Sequence, residues 1–199
     1  NGNVVGGTKA ARDTAFSKFA AGDYAGFKED VDIENFIDYH LISWYQGNPD
    51  WGQNNWFMAR RRAVGEQFQF FLWDMDNSMT AYDSDPRVTT YVSSFNISIL
   101  IQNRAFALVM PDRIYKRFFN DGVLTPQKAT ERFELRVNEI RKGVIAETAQ
   151  WGSSQAEWLN NVDYYLNDYF PQRTDFVLNA VRAIGYYPNI EPPQYSQSG

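Results

Sequence analysis

Cysteine is absent from this chain of 199 residues, and histidine occurs once, as His40. The first absence excludes disulfides, thiolate zinc sites and thiol nucleophiles, and leaves the redox compartment open. The second excludes clustered-histidine metal sites and two-histidine mechanisms; any Ser-His-Asp triad would have to use His40. No run approaches the ~20 apolar residues of a membrane-spanning helix, so membrane insertion is not expected, and no signal-peptide pattern opens the chain. Excess positive charge is lacking too. A formal net charge of −5 and a pI near 4.9 argue against nucleic acid or an anionic membrane as the main partner. The first residue is Asn1 rather than Met, from which we expect a processed or excised piece of something longer.

What is present is apolar and strongly aromatic. Hydrophobic residues make up 44% and aromatic residues 17%, enough to exclude disorder and to build one folded unit with a real core. Six Trp and 12 Tyr also leave room for aromatic ligand platforms.

Residues 1–29 are rich in Gly and Ala, and their pattern predicts at most one helix, around Asp13 to Ala21. Asp32 reads as the N-cap of a helix reaching about Tyr45, whose inner stripe is Ile33, Phe36, Ile37, His40, Leu41 and Trp44. Gly47-Asn48-Pro49-Asp50 stops that helix in a turn. Trp56 to Arg60 and Gln67 to Trp73 then read as two strands of a hairpin, with a loop containing Gly65 between them. From Asn77 to Thr90 a loop is expected, with a polar cluster at Asp83, Ser84, Asp85 and Pro86. Everything after Val92 reads as helical. Thr125 followed by Pro126 is a helix start, and the pattern runs through Phe133, Val137, Ile140, Val144 and Ile145 toward Trp151, with Gly152 as its stop. Two separate helices are expected next, at about Gln155 to Asp168 and Pro171 to Ile184, with Gly185 closing the second. The tail from Pro188, with Pro192-Pro193, reads as an extended linker. The class is therefore α+β, mainly helical, with one small antiparallel sheet.

Two short polar clusters carry the chemistry. The first is Asn48-Pro49-Asp50-Trp51-Gly52-Gln53-Asn54-Asn55-Trp56, and the second is Trp73-Asp74-Met75-Asp76. A hydroxyl attacking a terminal phosphate needs an acceptor for its proton, and the phosphate charge needs divalent ions held by hard oxygen ligands. Asp50, in a turn after a helix, suits the first role. Asn55, five residues on, can turn an amide oxygen toward a metal, and Asp74 at a strand end can supply a carboxylate aimed by a rigid element. Each part has a plain structural reading as well. Asp-x-Asp is commonly a turn with two solvated acids, and Asn-rich turns after helices commonly cap them. His40 lies on the apolar stripe and reads as a hydrogen-bonded core residue. Arg60, Arg61 and Arg62 read as a solvated turn, and Gly6-Gly7-Thr8 is too short to cradle phosphate and has no Walker lysine.

At these residues the chain resembles the C-terminal part of a CotH-type kinase domain, an atypical protein kinase family named after a spore coat protein. The stretches that carry the resemblance are Asp32 to Leu41 (DIENFIDYHL), Gly47 to Trp51 (GNPDW), Asn55-Trp56, Phe71 to Asp76 (FLWDMD), Phe118 to Pro126 (FFNDGVLTP), Ala146 to Gly152 (AETAQWG) and Tyr187-Pro188. The resemblance implies a kinase-like fold that moves the γ-phosphate of ATP to Ser or Thr of exported or coat proteins, with magnesium or manganese. It implies Asp50 as the catalytic-loop aspartate, Asn55 as the catalytic-loop ligand to metal and nucleotide, and Asp74 as the metal-binding aspartate. Asp76 falls where similar proteins carry Asp or Glu, and is a further metal candidate. Asn54 is a supporting residue on the nucleotide side.

A complete domain of this type implies an N-terminal lobe before the equivalent of Asp32, and Lys9, Arg12, Lys18 and Lys28 fit no phosphate-contacting pattern. The expected organisation is a partial N-terminal segment at 1–31, a kinase C-lobe at 32–187 and a Pro-rich tail at 188–199. The missing lobe of the same parent chain is then a partner, and the fragment by itself is not expected to retain full ATP cover. An extracytoplasmic or cell-surface bacterial setting follows from the same resemblance. The competing readings are a degenerate kinase kept for its architecture, and a glycan-binding or cell-surface module suggested by the aromatic content and the acidic loop Asp83 to Asp85.

Overall fold

The structure, a computed structural model, describes residues 9–52, 54–89, 95–152 and 154–190. Among these residues it is mainly helical, with a single two-stranded antiparallel sheet.

Helix α3 (Ile33–Gln46) is the centre of the molecule. Its start is fixed by Asp32, whose carboxylate accepts the Asn35 N–H at 3.0 Å, and its end by Gly47 in the left-handed conformation, φ 62°. The whole expected stripe, Ile33, Phe36, Ile37, His40, Leu41 and Trp44, is buried, and Tyr39, Ser43 and Tyr45 are buried as well. A helix buried nearly all round needs partners on several sides. The sheet, α5 (Arg104–Phe118) and α8 (Phe170–Ala183) supply them. Each fully buried Phe, Ile or Leu here contributes about 1.5–3 kcal/mol.

The N-terminal region holds two helices where the sequence predicts one. α1 (Ala10–Ala20) corresponds to the expected helix, and α2 (Tyr24–Asp30) follows it, capped by the Asp23 carboxylate on the Gly26 N–H at 2.9 Å. Seven residues containing a glycine are too short to show a helical period, so tertiary packing sustains α2 rather than propensity. Phe19 and Phe27 meet edge to face at 5.2 Å, Phe27 meets Phe36 at 5.8 Å, and both reach Phe95. This ties α1 and α2 into the core around α3.

Strands β1 (Trp56–Ala59) and β2 (Gln69–Leu72) pair antiparallel with Trp56 opposite Leu72, Phe57 opposite Phe71, Met58 opposite Phe70 and Ala59 opposite Gln69. They form the expected hairpin, with Arg60, Gln67 and Phe68 dropped at the loop end and Trp73 at the other. Phe70 is buried against Phe36, Tyr39 and Phe95. The opposite face stays open, with Phe57 and Phe71 facing each other at 6.2 Å and Trp73 exposed just beyond the strand. Asn35 fastens the sheet to α3: its carboxamide accepts the Phe70 N–H at 2.6 Å and donates to the Phe70 C=O at 3.3 Å. The hairpin is therefore aimed by the helix whose end carries the polar cluster.

After the loop that ends at residue 89, α4 (Ile97–Leu100) and α5 complete the near side of the core. Arg113 of α5 is buried and donates to Glu34 and Asp38 of α3, and Arg117 donates to Asp38 as well. α6 (Pro126–Trp151) begins at Thr125 and Pro126 and stops at Gly152, φ 78°, as its sequence requires. The expected break between the last two helices does not occur. α7 (Gln155–Tyr164) continues through a π-helical turn at Tyr165–Tyr169 into α8. Pro171 stands just past that turn. Proline has no N–H to give and crowds the carbonyl four residues back, and a widened turn lets the helix run on through it. The expected tail lies mostly outside the described residues, as does Val92.

Candidate active site

The polar cluster begins where α3 ends, and the end of α3 is held from outside. An α-helix leaves its last four carbonyls without donors in the helix interior. Here Ser43 C=O receives the Gly47 N–H at 3.0 Å, and Gln46 C=O receives the Met79 N–H at 2.8 Å. Trp44 C=O and Tyr45 C=O receive the Arg173 guanidinium at 2.9 and 2.6 Å, and the Tyr169 hydroxyl adds a bond to Tyr45 C=O at 2.9 Å. Arg173 also donates to the carbonyls of Tyr82 and Ser84, at 2.8 and 2.6 Å. Burial pulls its pKa below the ordinary arginine value, but four carbonyl oxygens compensate the buried cation. One side chain of α8 thus closes α3 and clamps the loop holding Asp83 and Asp85. Those two carboxylates are exposed, while the backbone around them is committed to Arg173.

From this fixed end the chain turns through Asn48, Pro49 and Asp50. Asn48 is fully buried. Its carboxamide oxygen accepts the Asp50 N–H at 2.8 Å, and its amide nitrogen donates to Met75 Sδ at 3.0 Å and to the Asp74 C=O at 3.4 Å. Asp50 itself is exposed, and its Oδ2 accepts the side-chain amide of Asn55 at 3.1 Å. Trp51 is buried beneath the turn against Tyr39 and His40. The pairing of Trp56 with Leu72 brings the two ends of the hairpin, Asn55 and Trp73, to the same side as Asp50. Asp74 follows at once, exposed and in the left-handed conformation at φ 53°, matched by Asn55 at φ 54°. Asn and Asp tolerate that region better than other side chains, and such backbone concentrates at functional sites.

The structure thus brings Asp50 and Asn55 into contact and joins the Asp50 turn to the Asp74 segment through Asn48. Asp76 is exposed two residues beyond Asp74, and Asn54 is exposed beside Trp51 in an isolated strand-like pairing. Among the described residues, no hydrogen bond ties either of them to Asp50 or Asn55. His40 is a core residue, as its position on the stripe predicts. Its Nδ1 donates to the Phe36 C=O at 2.8 Å, it has no exposure, and burial pushes its pKa down to about 4. Arg60, Arg61 and Arg62 are exposed at the far end of the hairpin, with Arg60 over the Phe68 ring at 4.9 Å.

The donor set suits a hard divalent cation. Asp50, Asp74 and Asp76 carry carboxylates, and since Asn55 spends its amide nitrogen on Asp50, its amide oxygen is the atom left to offer. Among the described residues no three His, Cys, Asp or Glu gather into a self-sufficient metal cluster. An ion held here would complete its shell from phosphate oxygens and water, which is how Mg²⁺ is commonly bound beside nucleotides. A groove of about 340 Å³ lies elsewhere, between α3, β2 and the loop before α6, lined by Tyr39, Ile42, Phe70, Leu72, Val123 and Leu124 among others. It contains none of the candidate residues.

Two residues that matter here have no assigned role in the sequence reading. Arg173 was legible in principle, because it falls on the apolar stripe Phe170, Thr174, Val177, Val181 of α8, where a cation must be buried and therefore partnered. Asn48 was not, since two of its three partners lie 26 and 27 residues away.

A family model described as CotH kinase protein matches residues 14–177. No curated protein and no solved structure matches the chain. The family match runs from within α1 to the middle of α8 and includes both polar clusters. With most of its length in that match, the chain belongs to the CotH kinase family.

Proposed function

We propose that this chain carries the metal and base residues of a phosphotransferase that moves the γ-phosphate of ATP to a serine or threonine hydroxyl. The observation that supports it best is the pairing of Asp50 with Asn55 at 3.1 Å in a turn that Asn48 joins to Asp74. Asp50 is exposed, and with Oδ2 bonded to Asn55 its other oxygen can receive the proton of an incoming hydroxyl. That hydroxyl oxygen forms the new bond to the γ-phosphorus, the bond from the γ-phosphorus to the bridging oxygen breaks, and ADP leaves. Asn55 and Asp74 hold the divalent cation, magnesium or manganese, with Asp76 as a further ligand. When bound, the cation neutralises the charge on the phosphate oxygens. The open face of Phe57, Phe71 and Trp73 beside these residues gives a purine base an apolar surface to lie on.

The acceptor we infer is an exported or coat protein outside the cytoplasm, on family membership. The remaining cover for the nucleotide is assigned to an N-terminal lobe of the parent protein. The test is phosphate transfer from ATP with manganese in the parent protein carrying Asp74→Ala or Asp50→Asn. Loss of transfer with an unchanged circular dichroism spectrum is expected for both. Transfer retained by Asp74→Ala would overturn the assignment.

A further inference from the structure

The two polar clusters come from different parts of the chain, and their relative position decides whether base and metal ligands can act on one phosphate. A misplacement of about 1 Å is enough to cost on the order of 100-fold in rate. One side chain spans the gap. The Asn48 carboxamide has no exposure, and both of its ends are engaged: the oxygen with the Asp50 N–H, the nitrogen with the Asp74 C=O and Met75 Sδ. Two of the three partners belong to Asp50 and Asp74, the residues that the phosphotransfer reading needs most, and the third is the thioether of Met75 next to Asp74.

Asparagine is the side chain this position requires. An acceptor and a donor must stand on one planar group, close to the backbone, with no charge. Aspartate at the same size keeps the acceptor but turns lone pairs toward the Asp74 carbonyl. Alanine offers neither. Asp74 also sits at φ 53°, a conformation that persists only when its surroundings hold it. The bond from Asn48 to its carbonyl is one such hold. Behind Asn48 the chain is fixed at Gly47, between Arg173 and the end of α3, so the tie is anchored rather than floating.

We propose that Asn48 is a positioning residue that locks the Asp50 turn to the Asp74 segment and sets the distance between proton acceptor and metal ligand. The catalytic consequence rests on the phosphotransfer reading; the tie itself does not, and the two can be tested apart. The two variants Asn48→Asp and Asn48→Ala separate the two halves of the carboxamide. Amide hydrogen exchange and the Met75 methyl resonance, both followed by NMR, report on each. In Asn48→Ala the Asp50 amide is expected to exchange about tenfold faster or more, since it loses its acceptor, and the Met75 methyl resonance should shift as the thioether loses its donor. In Asn48→Asp the Asp50 amide should stay protected while the Met75 methyl resonance alone shifts. Amides of α8 serve as the control for global unfolding. An unchanged Met75 methyl resonance in both variants would overturn the tie, whatever the chain catalyses.

Phosphate transfer from ATP with manganese to casein, in the parent protein, then reads the consequence. Asn48→Asp is expected to lower kcat about 100-fold, with KM for ATP within about threefold of wild type, the pattern of misplaced groups rather than of lost binding. Equal kcat values would overturn the positioning role. A wild-type parent protein that transfers no phosphate would overturn the phosphotransfer reading, and the NMR readouts then decide the tie by themselves.

Discussion

Arg173 occupies the space that a side chain on Gly47 would need. A Cβ at Gly47 would lie 2.7 Å from Arg173 Nη2 and 2.9 Å from Ser84 Oγ, and the residue already stands at φ 62°. Gly47→Ala therefore meets a left-handed backbone penalty of about 1 kcal/mol and a clash with a guanidinium that has no room to yield. A loss of about 2–4 kcal/mol is expected, or a fall in Tm of roughly 4–15 °C at this size. Arg173→Met removes the clash but strands the carbonyls of Trp44, Tyr45, Tyr82 and Ser84, at a cost of about 3–5 kcal/mol. In the double variant the two losses should sum to less than their separate values by about 1 kcal/mol or more, because they share one contact. Denaturant unfolding of the four proteins measures this, and strict additivity would show that the Arg173 guanidinium does not constrain Gly47.

This pair also shows what the sequence could reveal. Gly47 as a helix stop was legible, because a glycine after a periodic apolar stripe is a local signal. Its second role, making room for an arginine from α8, is not local. The same division runs through the fold. α3, the hairpin and α6 announce themselves by caps and period, whereas α2 and the fused α7 and α8 depend on what they pack against. In the candidate site, Asp50, Asn55 and Asp74 could be singled out by residue type and spacing along the chain. Asn48 sits in the same cluster but is defined by partners across the hairpin, and no spacing rule reaches that far.

His40 gives the fold a pH dependence with a definite sign. Its ring is buried among Phe36, Tyr39, Trp44 and Trp51, with Nδ1 on the Phe36 carbonyl and Nε2 without a partner among the described residues. Burial lowers its pKa from 6.5 to about 4. Above pH 6.5 neither the folded nor the unfolded chain protonates His40, and its contribution is complete. Between 6.5 and 4 the unfolded chain takes up a proton that the folded one refuses, so stability falls as pH falls. The integrated loss is roughly 3 kcal/mol and levels off below pH 4. Carboxylates titrate at the lower end of the same window, so the quantity to measure is the difference in unfolding free energy between wild type and His40→Phe from pH 7 to 4.5. That difference should change steadily in favour of the variant as the pH drops. A constant difference would mean that the buried ring takes up its proton over the same range as the unfolded chain.

Binding of manganese and ATP should be visible as stability before it is visible as turnover. A ligand at ~100 times its dissociation constant adds about 2.7 kcal/mol to a protein that binds it only when folded, and each kcal/mol is worth roughly 2–4 °C for a chain of this size. An upward shift in Tm of about 5–10 °C is expected with both ligands present, and its loss in Asp74→Ala. The two ligands are needed together because Asp50, Asn55 and Asp74 do not form a self-sufficient metal cluster among the described residues. Manganese alone should therefore shift Tm by much less than manganese with ATP. A large shift from manganese alone, surviving Asp74→Ala, would locate the ion away from the α3 end and detach the family's chemistry from the residues assigned to it here. No shift under any of these conditions would mean that these residues do not hold the nucleotide by themselves, although Asp50, Asn55 and the Asp74 backbone are held in place by contacts that need no ligand.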